Sequence, residues 1–444
     1  MTKTLKFVSS RVSEILNRSS DKNRFMEKVK IYQIGLGSFG RHGFEKFVHM
    51  AKHMEELDVE LAGICDRDAG KLKAAEKFAE QHGLDPDTFS DKDRMYEEAS
   101  GSNVLVYDAG PSDLHPGNIY ESLQNGFHHL TEKPSSMDRE EHIEEKRMAQ
   151  DRDVTFAVDF IERENPVVKK ALEIIEGEEI DSIKIFRESN MAVEKAIYPV
   201  ERAGVAGGDI MDKMVHEAYV LDFLEASEGD YGLELDDVEA EFFVPKDFDS
   251  EKLLSLRGGY THEIEDAATG LTHAKLSFND VDVELHSSWM GASKEARTAA
   301  KDIEEVTGAR FIDKDYFQED GEAFVDEEAR FFVIEGSRSI AGDMLGKRLY
   351  DLDTGEEIVT RDYLHDQLYR VLENSVREAA GLEKRKITDK ETDVFMNALF
   401  DVREEAVEGK EFMEELEKGN NRLNSLRIRD GKILENEEIE RIAG

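Results

Sequence analysis

Cysteine is nearly missing from this chain: Cys65 stands alone among 444 residues. A single thiol forms no intrachain disulfide and no cysteine-rich metal site, which points to a reducing compartment, and a cytoplasmic protein is expected. Long apolar runs are missing too. No segment reaches the roughly 18 consecutive apolar residues of a membrane-spanning helix, and the first thirty residues lack the continuous apolar stretch of a secretory signal. Basic residues are scarce: 58 Lys and Arg face 100 Asp and Glu, a formal net charge of -42. That balance argues against nucleic acid as a ligand, because binding phosphates needs a dominant basic surface. Internal repeats and low-complexity linkers are also lacking.

What is present in excess is charge. Charged residues make up 36% of the chain and hydrophobic ones 39%, against a usual charged share of about 25%. Charge has therefore replaced neutral polar surface, not core. Near 1 M salt the Debye length falls to roughly 3 Å and neighbouring carboxylates stop repelling one another, so an acidic, halophilic protein of a salt-rich cytoplasm is expected. The near-even use of Lys and Arg keeps a merely acidic mesophilic protein open. Residues 1–28 run against the trend. They carry Lys3, Lys6, Arg11, Arg18, Lys22, Arg24 and Lys28, with Leu5, Val8, Val12, Ile15 and Leu16 roughly on one side of a helix. An amphipathic basic arm docked on the acidic body or on a neighbouring subunit is expected there, with a transit peptide as the alternative.

A chain of 444 residues suits two domains plus extensions. From residue 29 strands alternate with helices: VKIYQIG, VELAGICD, SNVLVYDAG, FHHLTEKP and VTFAVDF read as five strands. Between them lie a helix from Arg41 to about Glu56 and the helices KLKAAEKFAEQHG, PGNIYESLQNG and REEHIEEKRMAQDR. That grammar predicts a doubly wound parallel sheet, a Rossmann domain over 29–160. Over 161–444 the pattern changes. The helix NPVVKKALEIIEG precedes alternating segments such as DSIKIFRES, VEAEFFVP, AKLSFN, VDVELHSSW and ARFFVIEG, and helices return at Tyr363 to Ala380 and Thr388 to Val407. An α/β domain with a large, mainly antiparallel open sheet is expected, one face packed and the other wet or at an interface.

The chemistry-bearing residues cluster where predicted strands end. In GLGSFG, Gly35, Gly37 and Gly40 form GxGxxG, with Ser38 and Phe39 between them. The first glycine permits a tight turn, the second lets backbone approach a pyrophosphate, and the third lets helix pack on strand. Asp66 ends the second strand, placed for a ribose diol, and its carboxylate favours NAD; the adjacent Arg67 suits a 2′-phosphate and keeps NADP open. Pro111 and His115 follow the third strand; Glu132, Lys133 and Pro134 follow the fourth. A lysine there can donate a hydrogen bond to a substrate oxygen, and the glutamate can pair with it or touch the cofactor ribose. Farther on, GGDIMDKMVHEAYVLDFL reads as one helix with Ile210, Met211, Met214, Val215, Ala218 and Leu221 on its core face. Asp212 and His216, four apart, project side by side from it. No HExxH and no three-ligand zinc set is legible, so no metal is expected.

Taken in order, GLGSFG, CDRD, PSDLH, ESLQNGFHHLTEKP, DFIERENP and GGDIMDKMVHEAYVLDFL resemble the Gfo/Idh/MocA oxidoreductases, over about residues 29–224. The resemblance implies a Rossmann domain followed by an α/β domain whose open sheet often makes the subunit contact, hence a homo-oligomer, dimer or tetramer. It implies transfer of hydride between NAD(P) and a sugar, cyclitol or related hydroxyl compound. Lys133, Asp212 and His216 then fall on the family's catalytic lysine, aspartate and histidine: His216 exchanges the hydroxyl proton, Asp212 orients substrate or imidazole, and Lys133 holds the reacting oxygen. Histidine is also the side chain whose ordinary pKa lies nearest neutral pH, as a base for alcohol oxidation requires. Three departures bear on substrate identity: Asp209 stands at the third glycine of the family's GGG, Val220 at the expected place of a further aspartate, with Asp222 two residues on, and a long tail follows Val407. Arg163, Tyr198 and Arg202 are further substrate-binding candidates, though both arginines can instead pair with the abundant acids. A reductase of an imine or unsaturated acceptor and a non-catalytic dinucleotide-binding sensor are the alternatives. Three intact reactive side chains argue against a sensor.

Overall fold

The computed structural model describes residues 27–101, 103–189, 208–227, 235–243, 271–278, 281–288, 292–319, 322–358, 366–382, 389–408, 427–429 and 432–434. The basic arm, the segment carrying Tyr198 and Arg202, and most of the tail lie outside them.

Six parallel strands make the first sheet: β1 Lys28–Ile34, β2 Asp58–Cys65, β3 Asp87–Phe89, β4 Val104–Asp108, β5 His128–Thr131 and β6 Phe156–Val158. Their spatial order is β3-β2-β1-β4-β5-β6, the doubly wound arrangement whose order reverses beside β1 and opens a crevice at the carboxyl ends of β1 and β4. Helices α1 Ser38–His53, α2 Ala69–Gln81, α3 Lys92–Glu98, α4 His115–Gln124 and α5 Arg139–Arg152 connect them. Five strands were legible; β3 and α3 are additional. Three residues carry too little periodicity to register as a strand, and β3 exists because Gly63 to Cys65 of β2 offer it a hydrogen-bonded edge.

The second sheet has ten strands. They are β7 Ile180–Glu188, β8 Leu235–Phe243, β9 Leu271–Phe278, β10 Val281–Ser288, β11 Ile312–Glu319, β12 Glu322–Gly336, β13 Ile340–Asp343, β14 Arg348–Asp351, β15 Glu357–Ile358 and β16 Val407–Glu408. They run in the order β15-β14-β13-β12-β7-β10-β9-β8-β16, with β11 beside β12. Most neighbours are antiparallel, but β7 and β10 are parallel, as are β8 and β16. Helix α6 Pro166–Ile175 packs on one face, with Val167, Val168, Ala171 and Ile175 fully inside the core it shares with Ile183, Ile185, Phe332 and Ile340.

The segment expected as one helix is three pieces. A turn of α-helix, α7 Gly208–Asp212, gives way to 3-10 helix over Met214–Tyr219 and then to α8 Val220–Ala226. Ile210, Met211, Met214, Val215, Ala218 and Leu221 are all buried, so the apolar stripe survives the break. The polar residues account for it. Asp209, Asp212 and Lys213 bond in three different directions, to the second sheet, to the first lobe and to the end of β7, more than one regular helix can present.

Helix α9 Lys294–Thr307 covers part of the second sheet's other face, around Phe186 and Phe331. Near the carboxyl end the chain returns to the first lobe. In α10 Gln367–Ala379, Leu368, Val371, Leu372 and Val376 share a core with Phe44, Phe47 and Tyr107, and Arg377 lies 2.8 Å from Glu56. The Rossmann core is thus completed by a helix more than two hundred residues beyond its last strand. Helix α11 Asp389–Glu405 lies between the lobes, fixed by the Arg139–Asp401 ion pair at 2.6 Å and by the edge-to-face contact of Phe395 with Phe160, ring centroids 6.3 Å apart.

Phe332 on β12 is fully buried and its ring meets Tyr219 at 6.1 Å and Phe223 at 5.0 Å, tying the broken helical segment to the sheet. Phe332→Ala is expected to cost about 3–5 kcal/mol from lost burial and the cavity left behind. The measurement is the urea midpoint of the unfolding step that reports the second lobe; a midpoint equal to the parent's refutes the tie.

Candidate active site

The glycine loop after β1 is shaped by contacts that leave little choice of residue. Gly35 has φ +87°, and a Cβ there would stand 2.5 Å from the Ala109 carbonyl oxygen. A Cβ on Gly40 would stand 2.4 Å from the Gly35 oxygen, whereas at Gly37 it would meet nothing within 4 Å. Two glycines are therefore demanded by the protein's own backbone, and the third opens on free space where a pyrophosphate can approach. The side chain of Gln33, fully buried, donates to the Gly35 and Gly40 oxygens at 2.9 and 2.6 Å and latches the loop. Nothing in the sequence singled out Gln33. Asp66 ends β2 with Oδ2 accepting from the Leu36 N–H at 2.7 Å, so the residue placed for a ribose also clasps the glycine loop; Arg67 beside it is exposed. These features fit a dinucleotide.

At the end of β4, Pro111 is exposed and His115 is fully buried. The ring nitrogens of His115 face the Pro134 and Gly110 carbonyl oxygens at 2.7 and 3.0 Å. His115 thereby ties the loop after β4 to the loop after β5, instead of presenting a free ring to a cofactor. The second of those loops carries Glu132, Lys133 and Pro134, the Lys133–Pro134 bond being cis.

A cleft of about 350 Å³ lies where the lobes meet, lined by Glu132, Lys133 and Asp159 of the first, by Arg187, Asp212, Lys213 and His216 of the second, and by Phe39 and Ile161. The sequence-predicted catalytic residues are thus brought together. Lys133 Nζ donates to Asp212 Oδ1 at 2.8 Å and to the Asp212 backbone oxygen at 2.5 Å. This differs from the expected Asp212–His216 pair. The helix stops at Asp212, and its carboxylate turns to the lysine of the other lobe.

His216 is held neutral. Burial disfavours the imidazolium, and Lys133, Arg187, Arg330 and Lys213 add repulsion, so its pKa falls well below the ordinary 6.5. Its Nδ1 is buried and has no hydrogen-bond partner among the described residues. Glu132 is shifted the other way. Burial pushes its carboxyl up, against the hydrogen bond donated by Tyr107 at 2.6 Å and against the charge of Lys133.

Arg187 and Lys213 also line the cleft, and sequence reading missed both. Arg187 is sandwiched between Glu217 and Glu162, the latter at 2.7 Å; burial opposes its charge, but the two carboxylates outweigh that and raise its pKa. Lys213 donates to Ser189 at the end of β7. The signal was the alternation of β7, which puts Arg187 on the same face as Ile183 and Ile185. Arg163, a substrate candidate, instead grips Asp222, its Nε 2.7 Å from Oδ2, and does not line the cleft. Asp209, fully buried, accepts from Thr272 at 3.0 Å and Ser287 at 2.5 Å, anchoring α7 to β9 and β10. Tyr198 and Arg202 lie outside the described residues.

A glycine-loop Rossmann sheet is joined to an open mixed sheet, with a lysine and a histidine converging at the seam. Residues 29–160 match the profile of the Gfo/Idh/MocA group, described as an oxidoreductase family with an NAD-binding Rossmann fold. The family resemblance read from the motifs is thus matched over the Rossmann part of the chain. A curated relative, UDP-N-acetylglucosamine 3-dehydrogenase of Acidithiobacillus ferrooxidans, is 29% identical over 136 residues, which span 31% of this chain and 38% of the relative. The structure of that enzyme, GnnA, superposes with a TM-score of 0.59 at 19% identity, over 86% of this chain and 98% of its own. WlbA dehydrogenase from Bordetella pertussis, in complex with NADH and UDP-GlcNAcA, gives 0.58 at 16% identity, over 85% and 97%. At such identities the structures establish a shared fold. Among the described residues no helix is long and apolar enough to cross a membrane.

Gly35→Ala is expected to lower the melting temperature and weaken NADH binding at least about tenfold, since the left-handed backbone alone costs a Cβ-bearing residue roughly 1–2 kcal/mol. Thermal melts and NADH fluorescence titration check this. Parental values in both would mean that the turn tolerates a side chain.

Proposed function

We propose that this protein is an NAD(P)-dependent oxidoreductase that moves hydride between nicotinamide and a sugar, cyclitol or related hydroxyl compound. One observation carries the reading: a lysine ammonium from one lobe and a neutral imidazole from the other line a single cleft beside a dinucleotide-type glycine loop. When bound, the dinucleotide supplies the nicotinamide that accepts or returns the hydride. The protein supplies the rest. Lys133, held by Asp212, donates a hydrogen bond to the reacting oxygen, and His216 takes the hydroxyl proton in oxidation or returns it in reduction. Positioning such a proton exchange contributes typically 10²–10⁴-fold. Phe39, exposed at the start of α1, and Glu132 border the same space.

NAD(H) is the favoured cofactor. The Asp66 carboxylate repels a 2′-phosphate, and the NADH in the Bordetella pertussis WlbA structure supports the choice; exposed Arg67 is the residue that would accommodate NADP. Sugar substrates accord with the names of the relatives. We further infer a division into a basic arm (1–28), a Rossmann domain (29–160) and a substrate and oligomerisation domain (161–444), with α10 returning to the first lobe. A homo-oligomer formed through the large sheet and a salt-rich cytoplasm complete the proposal.

The test is a screen of sugars and polyols for NAD+ and NADP+ reduction at high KCl, with His216→Ala beside the parent. His216→Ala is expected to lose 10²–10⁴-fold in kcat while keeping NADH affinity; equal turnover in variant and parent removes His216 from the chemistry. The pH profile is a separate check. Because the folded pKa of His216 lies below 6.5, the acid limb of kcat/KM for alcohol oxidation is expected below pH 6.5. Stability follows the same sign: the unfolded chain takes up a proton near 6.5 that the folded one refuses, so acidification from 6.5 downward favours unfolding. An acid limb above 6.5 contradicts the assigned environment.

A further inference from the structure

On the face of the second sheet opposite the cleft, three side chains converge that the oxidoreductase reading does not use. Strand alternation puts Ser287 toward α7, where it holds Asp209, and therefore puts His286 and Glu284 on the other face. The antiparallel register sets His273 of β9 directly opposite His286 of β10. Glu284 Oε2 lies 3.5 Å from His273 Nε2 and 3.4 Å from His286 Nε2. The three ligand atoms fall within 4.8 Å of one another. Among the described residues neither Nε2 makes a well-directed hydrogen bond, and His286 is only 4% exposed. Both imidazole nitrogens face the same carboxylate oxygen at the outer edge of hydrogen-bond range.

We propose that His273, Glu284 and His286 form a binding site for a divalent transition metal of the Zn2+ class. Two imidazoles and one carboxylate are a ligand set that zinc takes, with a fourth position left to water. The N–O separations suit it: two atoms each about 2.0–2.2 Å from a shared tetrahedral ion stand roughly 3.3–3.5 Å apart. The other carboxylate oxygen, Oε1, faces Lys184 at 3.7 Å, which leaves Oε2 for the ion. The two histidine rings are stacked, 4.0 Å apart at 18°, and His286 is also stacked on Phe186 at 4.5 Å. Both lone pairs meet at one ion when the rings splay. His273 is the ring that turns, being the less buried of the two, while Phe186 holds His286. No sequence motif announces this set, because its members lie on two strands and are joined by register alone. The bound ion pins β9 to β10, whose opposite faces hold Asp209 through Thr272 and Ser287.

The experiment uses the full-length protein, stripped with EDTA and titrated with Zn2+ by calorimetry at high KCl, with Co2+ as a spectroscopic probe. One Zn2+ per chain is expected, together with a visible Co2+ band of tetrahedral intensity and a raised melting temperature. His273→Ala and Glu284→Gln are expected to weaken Zn2+ by more than about 100-fold, beyond the 10–100-fold typical for loss of an outer-shell partner. Their NADH affinity is expected to match the parent's, and Glu284→Gln preserves shape if His273→Ala perturbs folding. Failure of the parent to bind Zn2+ stoichiometrically overturns the proposal. So does binding that survives both substitutions, which would place the ion on the acidic surface instead.

Discussion

A lysine at the end of one sheet and an aspartate at the end of a helical turn from the other lobe meet at 2.8 Å, and the rest of the site is arranged around that contact. Both groups are largely removed from water, so each needs the other: an unpaired charge at such a seam costs far more than the pair gains. The contact sets the approach of the two lobes, stops α7 at Asp212, and fixes a positive charge beside His216. A continuous helix would have set Asp212 and His216 side by side on one face. Breaking it lets Asp209, Asp212 and Lys213 reach three different partners.

The electrostatics of the cleft contrast with those of the chain. The protein carries net charge -42, yet the cleft gathers Lys133, Arg187 and Lys213 around one imidazole. Burial, with those cations added, lowers the pKa of His216 well below its ordinary value and favours the neutral ring. Arg187 is itself caged by Glu162 and Glu217, so its position is rigid and its charge locally balanced. Such a network contributes through the geometry it enforces, because desolvation offsets much of the attraction between its members.

Much of the first lobe was legible. Strand and helix alternate there at lengths that show their periods, and GxGxxG and the lysine after β5 stand where an open parallel sheet places its ligands. What escaped notice had little local signal: β3 with three residues, the latch made by Gln33, and the packing of the expected helix α10, whose apolar face gives no hint that its partner is Phe44 and Phe47 rather than the sheet nearer in sequence. His115 and Arg163 were recognised as unusual by position, but position alone does not say that one ties two loops through backbone carbonyls and the other closes on Asp222.

Sequence by itself determined most of the longer strands and helices, which backbone positions had to be glycine, and which reactive side chains would end at the carboxyl edge of the first sheet. These are consequences of period, sterics and connection, all local. Tertiary structure alone decided the pairings: Lys133 with Asp212, Arg187 between two glutamates, and His273 opposite His286 through strand register. A side chain's partner depends on distances between elements remote in sequence, and those distances exist only once the cores have packed.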